Sequence, residues 1–226
     1  MLFRFTSFGA WLQALRDAPA AVNVVSLVGH TTLRVAVMPD VSRPASDGER
    51  ARIRAMVGEA MDEGAFGLST GTFYPPAAAA PTQEIIDIGQ PLQGCCAIYA
   101  THLRDEADHI VPAMHEALAI GRALDARVVF SHHKVAGQRN HGRTRETLAL
   151  IDQAAAMQPV WLDCHPYPPR PCCGWIAYGW PAARWSRGRR DTRMPPGAIL
   201  PRSWPNLAWT TTPPSPGCHP RARSIS

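Results

Sequence analysis

A chain of 226 residues, 46% of them hydrophobic, can bury one sizeable core. No run approaches the roughly 18 apolar residues of a membrane helix, and residues 1–8 lack a basic stretch followed by an apolar one, so a soluble cytoplasmic protein with no membrane partner is expected. The net charge of +5 does not indicate nucleic acid, because nine arginines lie from Arg170 onward against one acid, Asp191, and the remainder is mildly acidic.

Five short β-rich runs alternate with helical patterns from about Ala21 to Pro168, the signature of βα units on a parallel sheet. The expected strands are Asn23 to Val28, Ala65 to Thr70, Ala97 to Thr101, Arg127 to Ser131 and Val160 to Cys164. Between them, Ile53, Met56, Val57, Ala60 and Met61, and then Ile110, Met114, Ala117, Leu118 and Gly121, recur at helical spacing. Ser46 three residues before Glu49 predicts a capping box, and Thr82 a second N-cap. Such units build either an open doubly wound sheet or a closed barrel, and periodicity does not choose between them. No glycine-rich phosphate loop follows any of the five runs, which removes the usual nucleotide-binding evidence for the open sheet.

After Pro168 the composition breaks. Eleven of the 22 prolines and five of the seven tryptophans follow, without lysine, glutamate or any period. A GC-rich gene read out of frame gives such a mixture, so residues 1–168 are expected to form the folded unit and residues 169–226 an irregular, frameshifted tail. The competing expectation is a genuine disordered tail whose arginines and tryptophans bind an anionic surface or nucleic acid weakly.

Of six cysteines, none forms a zinc-ribbon spacing, and Cys95 and Cys96 are expected as buried small hydrophobes. Histidines carry more information. Gly29-His30, Thr101-His102 and Ser131-His132-His133-Lys134 stand at the C-terminal ends of expected strands, where the loops of βα folds gather, so His102 and His132 could share a metal. The alternatives at each position are ordinary ones: satisfied structural histidines, a solvated Lys134, and an ion-pair and helix-start cluster at Arg104-Asp105-Glu106. His30 is expected as structural, His109, His115 and His141 as solvated, and His133 as turned away from its neighbour.

The strings NVVSLVGHTTLR from Asn23, EGAFGLSTGTFYPP from Glu63, YATHLRDE from Tyr99, FSHHKVAG from Phe130 and DCHPYP from Asp163 come in this order. Together they resemble the D-aminoacylases, N-acyl-D-amino-acid deacylases of the amidohydrolase superfamily, over roughly residues 5–168. The resemblance implies a partial (β/α)8 barrel of about five of eight βα units. It also implies Zn2+ as cofactor and an N-acyl-D-amino acid as small-molecule substrate, hydrolysed to a carboxylate and a D-amino acid. It places zinc ligands on His102 and His132 and the group holding the substrate carboxylate on Lys134, the only lysine. Tyr74 and Tyr167 fall where substrate contacts would lie. The last string is closer to the branch acting on acidic substrates. The family's His-x-His pair, metal-bridging cysteine and general-base aspartate have no counterpart in this sequence. The chain as written is therefore expected to be inactive or weakly active, an enzyme by family or else a non-catalytic remnant. Its oligomeric state is left open.

Overall fold

The computed structural model describes residues 5–165. Five strands in this part form one parallel sheet: β1 (Val28–Gly29), β2 (Gly67–Gly71), β3 (Ile98–His102), β4 (Arg127–Phe130) and β5 (Val160–Leu162). Their spatial order follows their sequence order, and every neighbouring pair is parallel. A doubly wound sheet would reverse direction at a switch point. Each unit here adds on the same side of the last, which is the winding of an arc of a (β/α) barrel.

The helices are α1 (Phe8–Asp17), α2 (His30–Val37), α3 (Asp47–Glu63), α4 (Pro75–Ala78), α5 (Thr82–Gly89), α6 (Ile110–Ala123) and α7 (Thr144–Ala155). Alternation along the strands decides what they cover. Leu68, Tyr99, Val128 and Phe130 are buried, and they join Ile53, Val57, Ile85, Ile88, Met114, Leu118 and Leu124 in one core. Ser69, Ala100 and Val129 are partly exposed on the other face, and Trp161 more so at 51%; register aligns these four across β2 to β5. Truncating a core residue such as Ile53 or Leu68 to alanine would cost about 2–5 kcal/mol.

Local signals hold this frame. Ser46 and Glu49 form the expected capping box of α3, and Gly64 ends that helix in the left-handed region at φ 112°. Gly67 opens β2 at φ 150°, where a Cβ would lie 1.9 Å from the carbonyl oxygen of Ile98. Only glycine lets β2 and β3 approach so closely.

Three expectations are corrected. The run Asn23 to Val28 yields strand only from Val28, because β1 is the edge of the described sheet and Val24 and Val25 face solvent. Thr82 does not cap α5; Pro81 holds that place, and the Thr82 hydroxyl donates to Glu116 Oε1 at 2.7 Å. Cys95 is exposed and Cys96 is half-buried with φ 51°, because the turn after Leu92 runs over the surface. The segment after His165 lies outside the described residues, as does the boundary expected at Pro168. Among the described residues no helix is long and apolar enough to cross a membrane.

Candidate metal centre

β3 ends on His102, and β4 is followed by Ser131 and His132, so strand pairing alone brings the two histidines to one end of the sheet. His102 Nδ1 and His132 Nε2 are 2.8 Å apart. Lys134 folds back on the same loop, its ammonium donating to His132 Nδ1 at 2.9 Å. An ammonium only donates, so this nitrogen accepts and the His132 proton sits on Nε2, directed at His102 Nδ1.

The backbone at His132 is unusual. Its φ of 40° lies in the left-handed region, which a non-glycine residue enters only when its surroundings hold it there. Asp163, just beyond β5, supplies that hold: its Oδ1 accepts the His132 N–H at 2.6 Å and its carbonyl accepts the His133 N–H at 2.7 Å. The turn sends His133 to the other side, as expected, where Nε2 meets Thr147 Oγ1 at 2.9 Å. Burial, with Lys134 nearby, keeps His133 below the usual imidazole range.

Glu106 completes the group. Its Oε2 lies 2.5 Å from Lys134 Nζ, and its Oε1 lies 3.2 Å from His132 Nδ1 and 3.7 Å from His102 Nδ1. Two backbone features turn it inward. Asp105 Oδ1 accepts the N–H groups of Ala107 and His109 in the turn before α6, and the Glu106 carbonyl accepts the Ala136 N–H at 2.7 Å, tying the β3 loop to the β4 loop.

His102, Glu106 and His132 are the one group of three metal-ligating side chains that converge among the described residues, with donor atoms all within 4.8 Å. Two imidazoles and a carboxylate are a donor set that zinc accepts. Burial lowers the pKa of His102 to about 4, helped by His132 and Lys134, so its ring is neutral at pH 7, the state a ligand requires.

No protein-family model matches the chain. It is 72% identical over 168 residues to an N-acyl-D-aspartate deacylase of Alcaligenes xylosoxydans xylosoxydans, a match covering 74% of this chain and 34% of that protein. Over those residues the chain is similar to the D-aminoacylases, a subset of amidohydrolases. A crystal structure of D-aminoacylase aligns with TM-score 0.70 at 54% identity, covering 73% of this chain and 35% of that one. The N-acyl-D-glutamate deacylase of Bordetella bronchiseptica, solved with zinc and a phosphonate mimic of the tetrahedral intermediate, aligns with TM-score 0.68 at 38% identity, covering 73% and 35%. The chain thus spans about a third of the length of the relatives it matches.

Within the matched segment, the residues expected from sequence meet as follows. His102, His132 and Lys134 come together, and Tyr74 packs its ring on His102 at a centroid separation of 4.8 Å. Tyr74 is placed there by the turn before α4, whose Pro75 and Pro76 start the helix directly after it. Tyr167 lies outside the described residues. His30 is fully buried beside Glu84, and His109, His115 and His141 are exposed, all as expected.

The charged cluster at 104–106 divides in three. Arg104 pairs with Glu116, Asp105 holds the turn that leads into α6 without capping the helix, and Glu106 joins the site. Sequence reasoning also passed over His165, whose ring stacks parallel to that of His132 at 6.1 Å, and Asp163. The histidine inside the DCHPYP string was the available signal for the first of these.

Proposed function

We propose that this segment supplies the metal and carboxylate recognition of a zinc-dependent deacylase, with an N-acyl-D-aspartate as substrate. The observation that supports it is the convergence of His102, His132 and a single ammonium, Lys134, at one end of a parallel βα sheet. The 72% identity to an N-acyl-D-aspartate deacylase supports the acidic D-amino acid.

In this reading His102 and His132 hold the zinc, and Lys134 receives the substrate carboxylate. Zinc, when bound, lowers the pKa of a water toward about 7 and polarises the amide carbonyl. Water adds across the amide C–N bond, releasing acetate or another carboxylate and the free D-amino acid. Tyr74, 40% exposed against His102, presents a mixed apolar and hydroxyl surface suited to packing on the substrate. Lys134 fits its role because an ammonium on a flexible stem can follow a carboxylate into place. The general-base aspartate that the resemblance calls for has no counterpart in this sequence, so turnover by this chain is expected to be slight even where metal binds.

The test is a titration of the full chain with Zn2+ and with Co2+ as a spectroscopic probe, followed by a ninhydrin assay on N-acetyl-D-aspartate with and without chelator. Stoichiometric binding lost in His102→Ala and His132→Ala supports the reading. Binding indifferent to both substitutions would sink it.

A further inference from the structure

Glu106 stands between two partners that it cannot serve together. On one side its Oε2 holds the Lys134 ammonium at 2.5 Å. On the other its Oε1 faces His132 Nδ1 and His102 Nδ1 at 3.2 and 3.7 Å. His132 Nδ1 already accepts from Lys134, and His102 Nδ1 faces the His132 Nε2 proton, so neither has a hydrogen to give the carboxylate. Lone pairs crowd one small volume, and such an arrangement requires a cation. Lys134 Nζ is that cation in this structure, in contact with both the carboxylate and one imidazole.

This inference rests on the proposed function, in which zinc and a substrate carboxylate occupy neighbouring places. We propose that Glu106 is a positioning residue that couples the two: it restrains Lys134 while the metal is absent, and turns to the metal when it binds, freeing the ammonium for the substrate carboxylate. A divalent ion among one carboxylate and two neutral imidazoles does what the ammonium does, with twice the charge and shorter bonds. Lys134 then leaves both of its contacts and keeps its proton. The Glu106 side chain is 11% exposed and that of Lys134 27%, so neither charge is stranded in water, where the exchange would carry little weight.

The metal and the carboxylate therefore promote each other's binding, and by linkage each raises the affinity of the other by the same factor, about 5–150-fold for coupling of ordinary strength. The metal-free protein is correspondingly poor at holding a carboxylate.

The experiment uses the full chain and two probes, Co2+ followed by its visible absorption and N-acetyl-D-aspartate followed by calorimetry, each titrated with and without the other. Wild type is expected to bind Co2+ at least fivefold more tightly when N-acetyl-D-aspartate is present. Glu106→Gln is expected to bind Co2+ more weakly, to lose the coupling, and to bind N-acetyl-D-aspartate more tightly than wild type when metal-free. That gain separates positioning from mere structural support, whose loss would weaken every ligand. Lys134→Gln provides a second arm, in which Co2+ binding tightens and becomes insensitive to N-acetyl-D-aspartate. Unchanged coupling in Glu106→Gln, or no tightening in Lys134→Gln, overturns the inference and leaves the metal centre standing. Co2+ binding indifferent to His102→Ala removes both.

Discussion

Asp163 accepts the backbone N–H of His132 at 2.6 Å, and through that bond the residue after β5 fixes the direction in which the residue after β4 points. Its own N–H donates to the Phe130 carbonyl at 3.1 Å, so the two strand ends brace each other. Groups that orient a ligand commonly cost 10–100-fold in metal affinity when removed. Asp163→Ala should weaken Co2+ binding by about tenfold or more. The circular dichroism spectrum should change little, and Asp163→Asn, which keeps an acceptor oxygen, should recover most of the affinity. Equal affinity in wild type and Asp163→Ala would show that the turn is held by other means.

Metal should stabilise the fold that presents its ligands. At a free concentration one hundred times Kd, a ligand that binds only the folded state adds about 2.7 kcal/mol. Thermal melts of the wild-type chain with Zn2+ should rise accordingly and return to the metal-free value with chelator. His102→Ala should melt at one temperature with or without zinc. A zinc-dependent rise that survives this substitution would place the ion elsewhere.

Away from the site, the largest single energetic penalty is expected at Glu84. Its carboxylate meets the guanidinium of Arg34, both side chains fully buried, and accepts the Ala45 N–H at 2.8 Å. Arg34 also donates to the carbonyls of Pro76, Val41 and Arg43, so one ion pair ties α2, α4, α5 and the loop before α3 together. Removing one member of a buried pair strands the other, at a cost of about 3–5 kcal/mol. Urea denaturation of Glu84→Gln should show a loss of that order. A double substitution to apolar residues of similar volume, Arg34→Met with Glu84→Leu, should be considerably milder.

Acid should weaken the start of α3. The Arg43 guanidinium, with the Ser46 N–H, holds the Glu49 carboxyl down at about 2 against an ordinary value of 4.5. A folded-state pKa below the unfolded one contributes stability that is complete above about pH 4.5 and disappears as pH falls toward 2. Glu49→Gln should therefore lower stability at neutral pH and flatten the stability profile between those values. An unchanged slope across that range would mean that the pairing persists in the unfolded chain.

Much of this was legible in the sequence, and the exceptions have physical reasons. His102, His132 and Lys134 could be found because parallel strands carry their C-terminal ends to the same side, so linear position predicts meeting in space. Glu106 could not be found in that way. It sits in a charged triplet whose commonest use is a local ion pair and helix start, and Asp105 holds the turn that leads into α6; that turn and the bond from Ala136 to the Glu106 carbonyl, neither visible in linear spacing, bring the third residue of the triplet inward. The run Asn23 to Val28 has strong β propensity, yet propensity cannot supply a partner on its open side, and Asn23, Val24 and Val25 are exposed coil before Ser26 and Leu27 lead into β1. Cys95 and Cys96 misled for a related reason, since their small apolar side chains say nothing about the surface turn that carries them.

The left-handed backbone at His132 sets two selective demands against each other. A histidine there holds a conformation that costs about 1–3 kcal/mol relative to a relaxed one, whereas glycine or asparagine would adopt it with ease. Laboratory evolution of this segment for thermal tolerance alone would be drawn toward His132→Gly or His132→Asn, and would discard the imidazole as it gained stability. Retention of histidine at this position through such a drift would record selection for chemistry, in a place where folding by itself prefers something else.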